Sequence, residues 1–149
     1  MKRSTHRAAG FAALAAVAAL ALSACASGSG TTKAAEVAQQ QVVDSGAFVD
    51  VDIAKSTEKN ANAIFAWVKV AGELTAEQLA IIVTAVGTAT SSDNRCTVEI
   101  VAKHDDATES KADMHLAARD LGLTQYLTRN DYSLEMPCSE ARAFADANS

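Results

Sequence analysis

Chemistry could reside in three places along this 149-residue chain: a His/Asp/Glu-rich stretch at 104–115, two aspartates at positions 50 and 52, and cysteines at 25, 96 and 138. In the first stretch His104, Asp105, Asp106, Glu109, Asp113 and His115 are of types that ligate zinc and other divalent ions. Their spacing matches no established ligand set. Solvation of a loop accounts for most of them, and a carboxylate at Asp113 suits the start of a helix. His104, Asp106 and His115 stand as the candidate ligands, without a metal being favoured. Asp50 and Asp52, two apart on a strand, would point to the same side about 7 Å apart, close enough to hold an ion or flank a scissile bond. The wet face of an edge strand produces the same pattern. No Gly-x-Ser-x-Gly occurs, and no glycine-rich phosphate loop follows a predicted strand, so serine and nucleotide chemistry lack support. The sequence reads as non-catalytic, with no cofactor.

Cys25 has a different context. Lys2, Arg3 and Arg7 make a cationic start, and an Ala/Leu/Val run from Ala8 to Leu22 follows. That run is shorter than the roughly 20 residues a membrane-spanning helix needs. Leu22-Ser23-Ala24-Cys25 closes it, and the whole resembles the signal peptide and lipobox of bacterial lipoprotein precursors. The resemblance implies that residues 1–24 are removed and that Cys25 becomes a diacylglyceryl thioether carrying palmitate-type chains. The mature protein would then sit lipid-anchored on the extracytoplasmic face of the cell membrane. Two acyl chains hold a protein stably where one is marginal. An ordinary secretory signal cut near Ala24 or Ala26 is the alternative, and it would leave three cysteines in the exported chain.

With Cys25 acylated, Cys96 and Cys138 remain as a pair in a compartment that permits disulfides. They lack the Cys-x-x-Cys of a redox centre and the close partners of a zinc site, so a structural bridge is expected. Residues 25–32, CASGSGTT, read as a flexible tether, and residues 33–149 as a single α+β domain, too small for a two-lobed solute receptor. Without residues 1–24 the chain keeps 10 basic and 18 acidic residues, a charge of −8. Nucleic-acid binding is not expected from so acidic a chain, nor close association with anionic headgroups.

Periodicity predicts the elements. Residues 33–43 read as a helix stopped by Asp44-Ser45-Gly46. Val49, Val51 and Ile53 alternate as a strand, and 63–74 read as a second strand forming an antiparallel hairpin with it. Thr75-Ala76-Glu77-Gln78 is a capping box that opens a helix with an apolar stripe of Leu79, Ile82, Val83 and Val86, ending near Gly87. Cys96 to Lys103 alternate as a third strand. Ser110-x-x-Asp113 resembles a second box, opening a helix that Gly122 can terminate. One or two short extended pieces follow between Leu123 and Met136, and Ser139 caps a last helix. The expectation is a two-layer α/β sandwich with a mixed four-stranded sheet and helices mainly on one face. If the third and fourth strands ran parallel, the two cysteines would lie at opposite ends of the sheet, so either the last strand is antiparallel or the bridge does not form. The front half is similar to small envelope domains of the BON type, with Val70-Ala71-Gly72-Glu73-Leu74 in place of their glycine-bearing strand.

If Ile64, Val68 and Val70 pack beneath the helices, Phe65, Trp67 and Lys69 project from the opposite side of the sheet. Either the faces are the other way round or a terminal helix covers the rings, both of which make them core, or they form a recognition surface for an envelope protein or polymer. The resulting expectation is a non-enzymatic, membrane-anchored binding module. A small metal-binding protein or enzyme, and a small-ligand carrier with a pocket between helices and sheet, are the alternatives.

Overall fold

The computed structural model describes residues 29–57, 62–92 and 95–149. The segment read as a signal peptide, with Cys25, lies outside them. Helix α1 (Ser29–Asp44) leads into strands β1 (Asp50–Lys55) and β2 (Ala63–Val70), then helix α2 (Ala76–Ala89) and strand β3 (Thr97–His104). Helix α3 (His115–Asp120), one 3-10 turn (Thr124–Tyr126), strand β4 (Leu134–Pro137) and helix α4 (Cys138–Ala147) complete it. The sheet order is β1-β2-β3-β4, with β2 and β3 parallel and both outer pairs antiparallel. The fold is α+β.

Alternation along the strands separates two faces. Ile53, Ile64, Ala66, Val68, Val70, Val98, Ile100, Ala102, Leu134 and Met136 are buried and join Leu79, Ile82, Val83 and Val86 of α2 in one core. Two turns of α1 contribute Ala34, Ala35, Ala38 and Val42, an i, i+4 stripe that fits the helical period. Among the described residues no helix is long and apolar enough to cross a membrane.

Both ends of α2 have an identifiable cause. Thr75 Oγ1 accepts from the Gln78 amide at 3.2 Å while Gln78 Oε1 accepts from the Thr75 amide at 3.1 Å, so the capping box forms as expected. The helix does not stop at Gly87. It runs on to Ala89 because Gly87 is where α4 crosses: a Cβ there would collide with the Ala141 carbonyl and lie 2.8 Å from Ala145 Cβ. The glycine serves close approach of two helices.

The antiparallel course of β4 settles the cysteine question. Thr97 pairs with Pro137, the Cys138 amide donates to the Cys96 carbonyl at 2.8 Å, and the two cysteines form a disulfide with a Cα separation of 5.3 Å. Closing this loop, with its 42-residue separation, stabilises the fold by about 4 kcal/mol through lost loop entropy in the unfolded chain.

Four expectations are corrected. α1 starts at Ser29, inside the presumed tether, because Thr31 is 3% exposed with its hydroxyl bonded to Asn62 Oδ1 at 2.7 Å. β2 stops at Val70, and Gly72 sits in a bend, so the glycine-bearing strand of BON-type domains has no counterpart here. Ser110 caps nothing: Lys111 bridges antiparallel to Lys103 and the Ala112 amide bonds the Ala102 carbonyl, so this segment extends the sheet edge. α3 therefore begins only at His115, whose amide donates to Asp113 Oδ1 at 2.7 Å. Between Leu123 and Met136 one extended piece forms, β4, within the one or two expected; a 3-10 turn and a turn at Asp131, whose φ is +55°, precede it. Ser139 lies within α4, which starts after Pro137 without a side-chain cap. Gly122, with φ of +70°, closes α3 as expected.

Replacing an exposed helical glycine by alanine stabilises by about 1 kcal/mol. Gly87→Ala is expected to do the opposite, costing about 1–3 kcal/mol as α2 and α4 are forced apart. Urea denaturation of the two proteins checks the sign.

Candidate functional site

The face of the sheet away from the helix core carries Asp50, Asp52 and Ala54 on β1, and Phe65, Trp67 and Lys69 on β2. Glu99, Val101 and Lys103 continue it on β3. Register places them side by side: Asp50 opposite Lys69, Asp52 opposite Trp67, Trp67 beside Val101 and Lys69 beside Lys103. Val101 is 2% exposed yet stands outside the main core cluster, so this face has a small apolar centre of its own. Trp67 is 37% exposed, and Phe65 is half-buried. No described terminal helix covers them.

A groove of about 230 Å³ runs between Asp50, Asp52, Trp67, Lys69 and Lys103. Lys103 Nζ lies 4.8 Å from the centroid of the Trp67 ring, a cation–π arrangement. Glu109 brackets the two lysines. Its Oε1 is 2.5 Å from Lys69 Nζ and its Oε2 is 3.9 Å from Lys103 Nζ. Glu109 reaches them from a loop in which its own φ is +46°, a left-handed conformation that a non-glycine residue adopts at some cost. The turn that imposes this φ is held by Thr108, whose amide and hydroxyl both donate to Asp106 Oδ1, and by the His104 amide donating to the Ser110 carbonyl.

Hydrogen bonding and charge tune the cluster. The bond from Glu109 and its charge push the Lys69 ammonium above the ordinary lysine range, and the same contact holds the Glu109 carboxyl below the ordinary glutamate range. The Thr108 hydroxyl lowers Asp106 likewise. The groove presents two aspartates, two lysines and an indole edge. Such a set accepts and donates hydrogen bonds and offers a flat apolar plate. It holds no Ser, Cys or His to act as nucleophile or base.

The structure therefore brings Phe65, Trp67 and Lys69 together with Asp50 and Asp52 on one open surface, although the sequence linked the two sets only by strand membership. It does not gather the His/Asp stretch. His104 ends β3, Asp106 is engaged by Thr108, and His115 Nδ1 is 3.7 Å from Asp131 Oδ2. Among the described residues no three of the His, Cys, Asp and Glu side chains converge as an ion would require. Lys103 and Glu109 were missed as site residues. Alternation along β3 puts Lys103 on the open face and could have found it; nothing local in the sequence signals that Glu109 folds back over a lysine 40 residues away.

Comparison with protein-family models, with curated proteins and with solved structures yields no match for the chain.

The Glu109–Lys69 pair carries a definite pH signature. A depressed carboxyl value means that its contribution is complete above the unfolded glutamate value and is lost as pH falls through the lower folded one. A raised lysine value means that the contribution is lost only as pH climbs through it. The Glu109 side-chain carboxyl, followed by NMR, is expected to titrate below the ordinary glutamate range and to return toward it in Lys69→Gln.

Proposed function

We propose that this chain is a lipid-anchored, extracytoplasmic binding module of the bacterial cell envelope. It is non-enzymatic and uses the open sheet face at Phe65, Trp67 and Lys69 to hold a protein or envelope polymer. The observation that carries the reading is a half-exposed tryptophan seated between paired charges on a sheet face that no described helix covers. Burying a tryptophan supplies a large share of the energy of a typical interface, and charges ringing it set orientation and specificity. Lys103 lies over the ring in the free protein, so it must swing aside or be sandwiched when a partner arrives.

The anchor half of the proposal stands on Leu22-Ser23-Ala24-Cys25 and the charged, then apolar, segment before it. A small-ligand carrier is less well supported. The space between sheet and helices is filled by the core, and the apolar depression of about 380 Å³ at Ile81, Leu121 and Phe144 lies among the helices.

In-cell photo-crosslinking from position 67, with Glu99 on the same face and Val98 on the core face as controls, tests the surface. A discrete adduct from 67 and 99 but not 98 is expected; silence at all three overturns it. Phe65→Ala with Trp67→Ala is expected to abolish the adduct formed from 99 while cooperative unfolding persists. If the double variant unfolds instead, the rings are structural. Cys25→Ala is expected to move the protein from the membrane to the soluble fraction after cell breakage and to remove incorporated acyl label. Unchanged fractionation and labelling would overturn the anchor.

A further inference from the structure

The end of the sheet far from Trp67 has its own architecture. There β2 and β3 begin, β1 and β4 end, α1 and α4 start, and α2 finishes. A cavity of about 550 Å³ opens at this end, walled by Asn62, Ser92, Arg95, Cys96, Ser139 and Arg142 among others. Its described wall holds no carboxylate. The disulfide joins the two backbone segments that carry the arginines: Arg95 precedes Cys96, and Arg142 lies one helical turn after Cys138. Arg142 is further held by a 2.7 Å bond from its Nη1 to the Ser91 carbonyl.

The first turn of α1 is tied to this cavity. Thr31 Oγ1 donates to Asn62 Oδ1 at 2.7 Å, and the Asn62 side-chain amide donates to the Arg95 carbonyl. Cys25 lies four residues before the start of α1 at Ser29, a stretch that spans at most about 14 Å when fully extended. An acylated Cys25 would thus hold this end, and no other, within reach of the lipid headgroups.

We propose that the Arg95–Arg142 cavity seats the phosphate of an anionic phospholipid headgroup and so fixes how the domain stands on its membrane. The proposal rests on the reading of Cys25 as the lipid anchor. Two guanidinium groups suit a phosphate diester, which each can grip through paired N–H donors, and the hydroxyls of Ser92 and Ser139 complete a polar wall. The net charge of the domain repels an anionic surface, so attraction must be local. The arginines line the cavity itself, whereas Glu140, beside Ser139 at this end, is outside its lining and accepts from the Tyr126 hydroxyl at 3.0 Å. With the cavity on the headgroups, the strands stand away from the bilayer. Trp67, five residues along β2 from Asn62, is then lifted roughly 16 Å from it.

Native mass spectrometry of the full-length protein, purified from membranes in detergent, tests this with added phosphatidylglycerol, phosphatidylcholine or inorganic phosphate as probes. The covalent acyl mass reports the anchor, and non-covalent adducts report the seat. Phosphatidylglycerol is expected to be retained at least tenfold more than phosphatidylcholine. That preference is expected to vanish in Arg95→Gln/Arg142→Gln, whose thermal unfolding is checked in parallel, and to persist in Arg119→Gln on α3. Equal retention of the two lipids, retention unchanged in the double variant, or displacement by millimolar phosphate would overturn the lipid seat. Should the double variant fail to fold, Arg95→Gln alone must lower retention, and an unchanged value overturns the proposal. An acylated chain that retains no phosphatidylglycerol refutes the seat and leaves the anchor standing; an unacylated chain that retains it refutes the anchor alone.

Discussion

Because β2 and β3 run parallel, the chain must return the length of the sheet between them, and α2 is that return. A parallel pair cannot be joined by a tight turn. The returning helix needs an apolar surface to lie on, and the alternation of β2 and β3 supplies it with Ile64, Val68, Val98 and Ile100. Once α2 is laid down on that face, α1 and α4 add to the same layer. α4 comes close enough that only glycine fits at position 87. The other face is left to Phe65, Trp67 and their charged neighbours by subtraction.

The same pairing places the two ends of the molecule in opposition. The starts of β2, β3, α1 and α4, the disulfide and the arginine-lined cavity gather at one end. The Glu109 loop and the lysine pair gather toward the other. The four-stranded sheet thereby sets two surfaces of different chemistry apart. Opposite ends of its strands provide the longest separation available, because each residue of strand adds about 3.3 Å.

Local signals made much of this architecture legible. The capping box at Thr75 and Gln78 needs only four residues, and period-two alternation separated the two faces of β2 and β3 without saying which of them the helices cover. The cysteine pair was legible by counting. What escaped depends on contacts distant in sequence. The direction of β4 is set by the path after α3, and Lys111 joins the ladder because Lys103 offers an unpaired edge, which overrides the helix-start pattern at Ser110. Gly87 reads locally as a stop, since nothing near it announces Ala141. At the site, the aromatic pair was legible from strand phase. The grip of Glu109 on Lys69 was not, because it requires a left-handed residue in a loop whose course the sequence leaves open.

The order β1-β2-β3-β4 also bears on how the chain reaches its native state. Every strand pairs with its neighbour in sequence, so no strand has to be inserted between two already paired, and each pairing closes only the segment most recently made. Only the β1–β2 hairpin is a short-range closure; β2–β3 and β3–β4 join residues 34 or more apart, and pairings of that span form slowly. The hairpin of β1 and β2 can form first, the α2 return can dock β3 on it, and β4 comes last. The domain is therefore suited to assembling from its amino-terminal side as the chain emerges, with the covalent bond between Cys96 and Cys138 sealing the final strand.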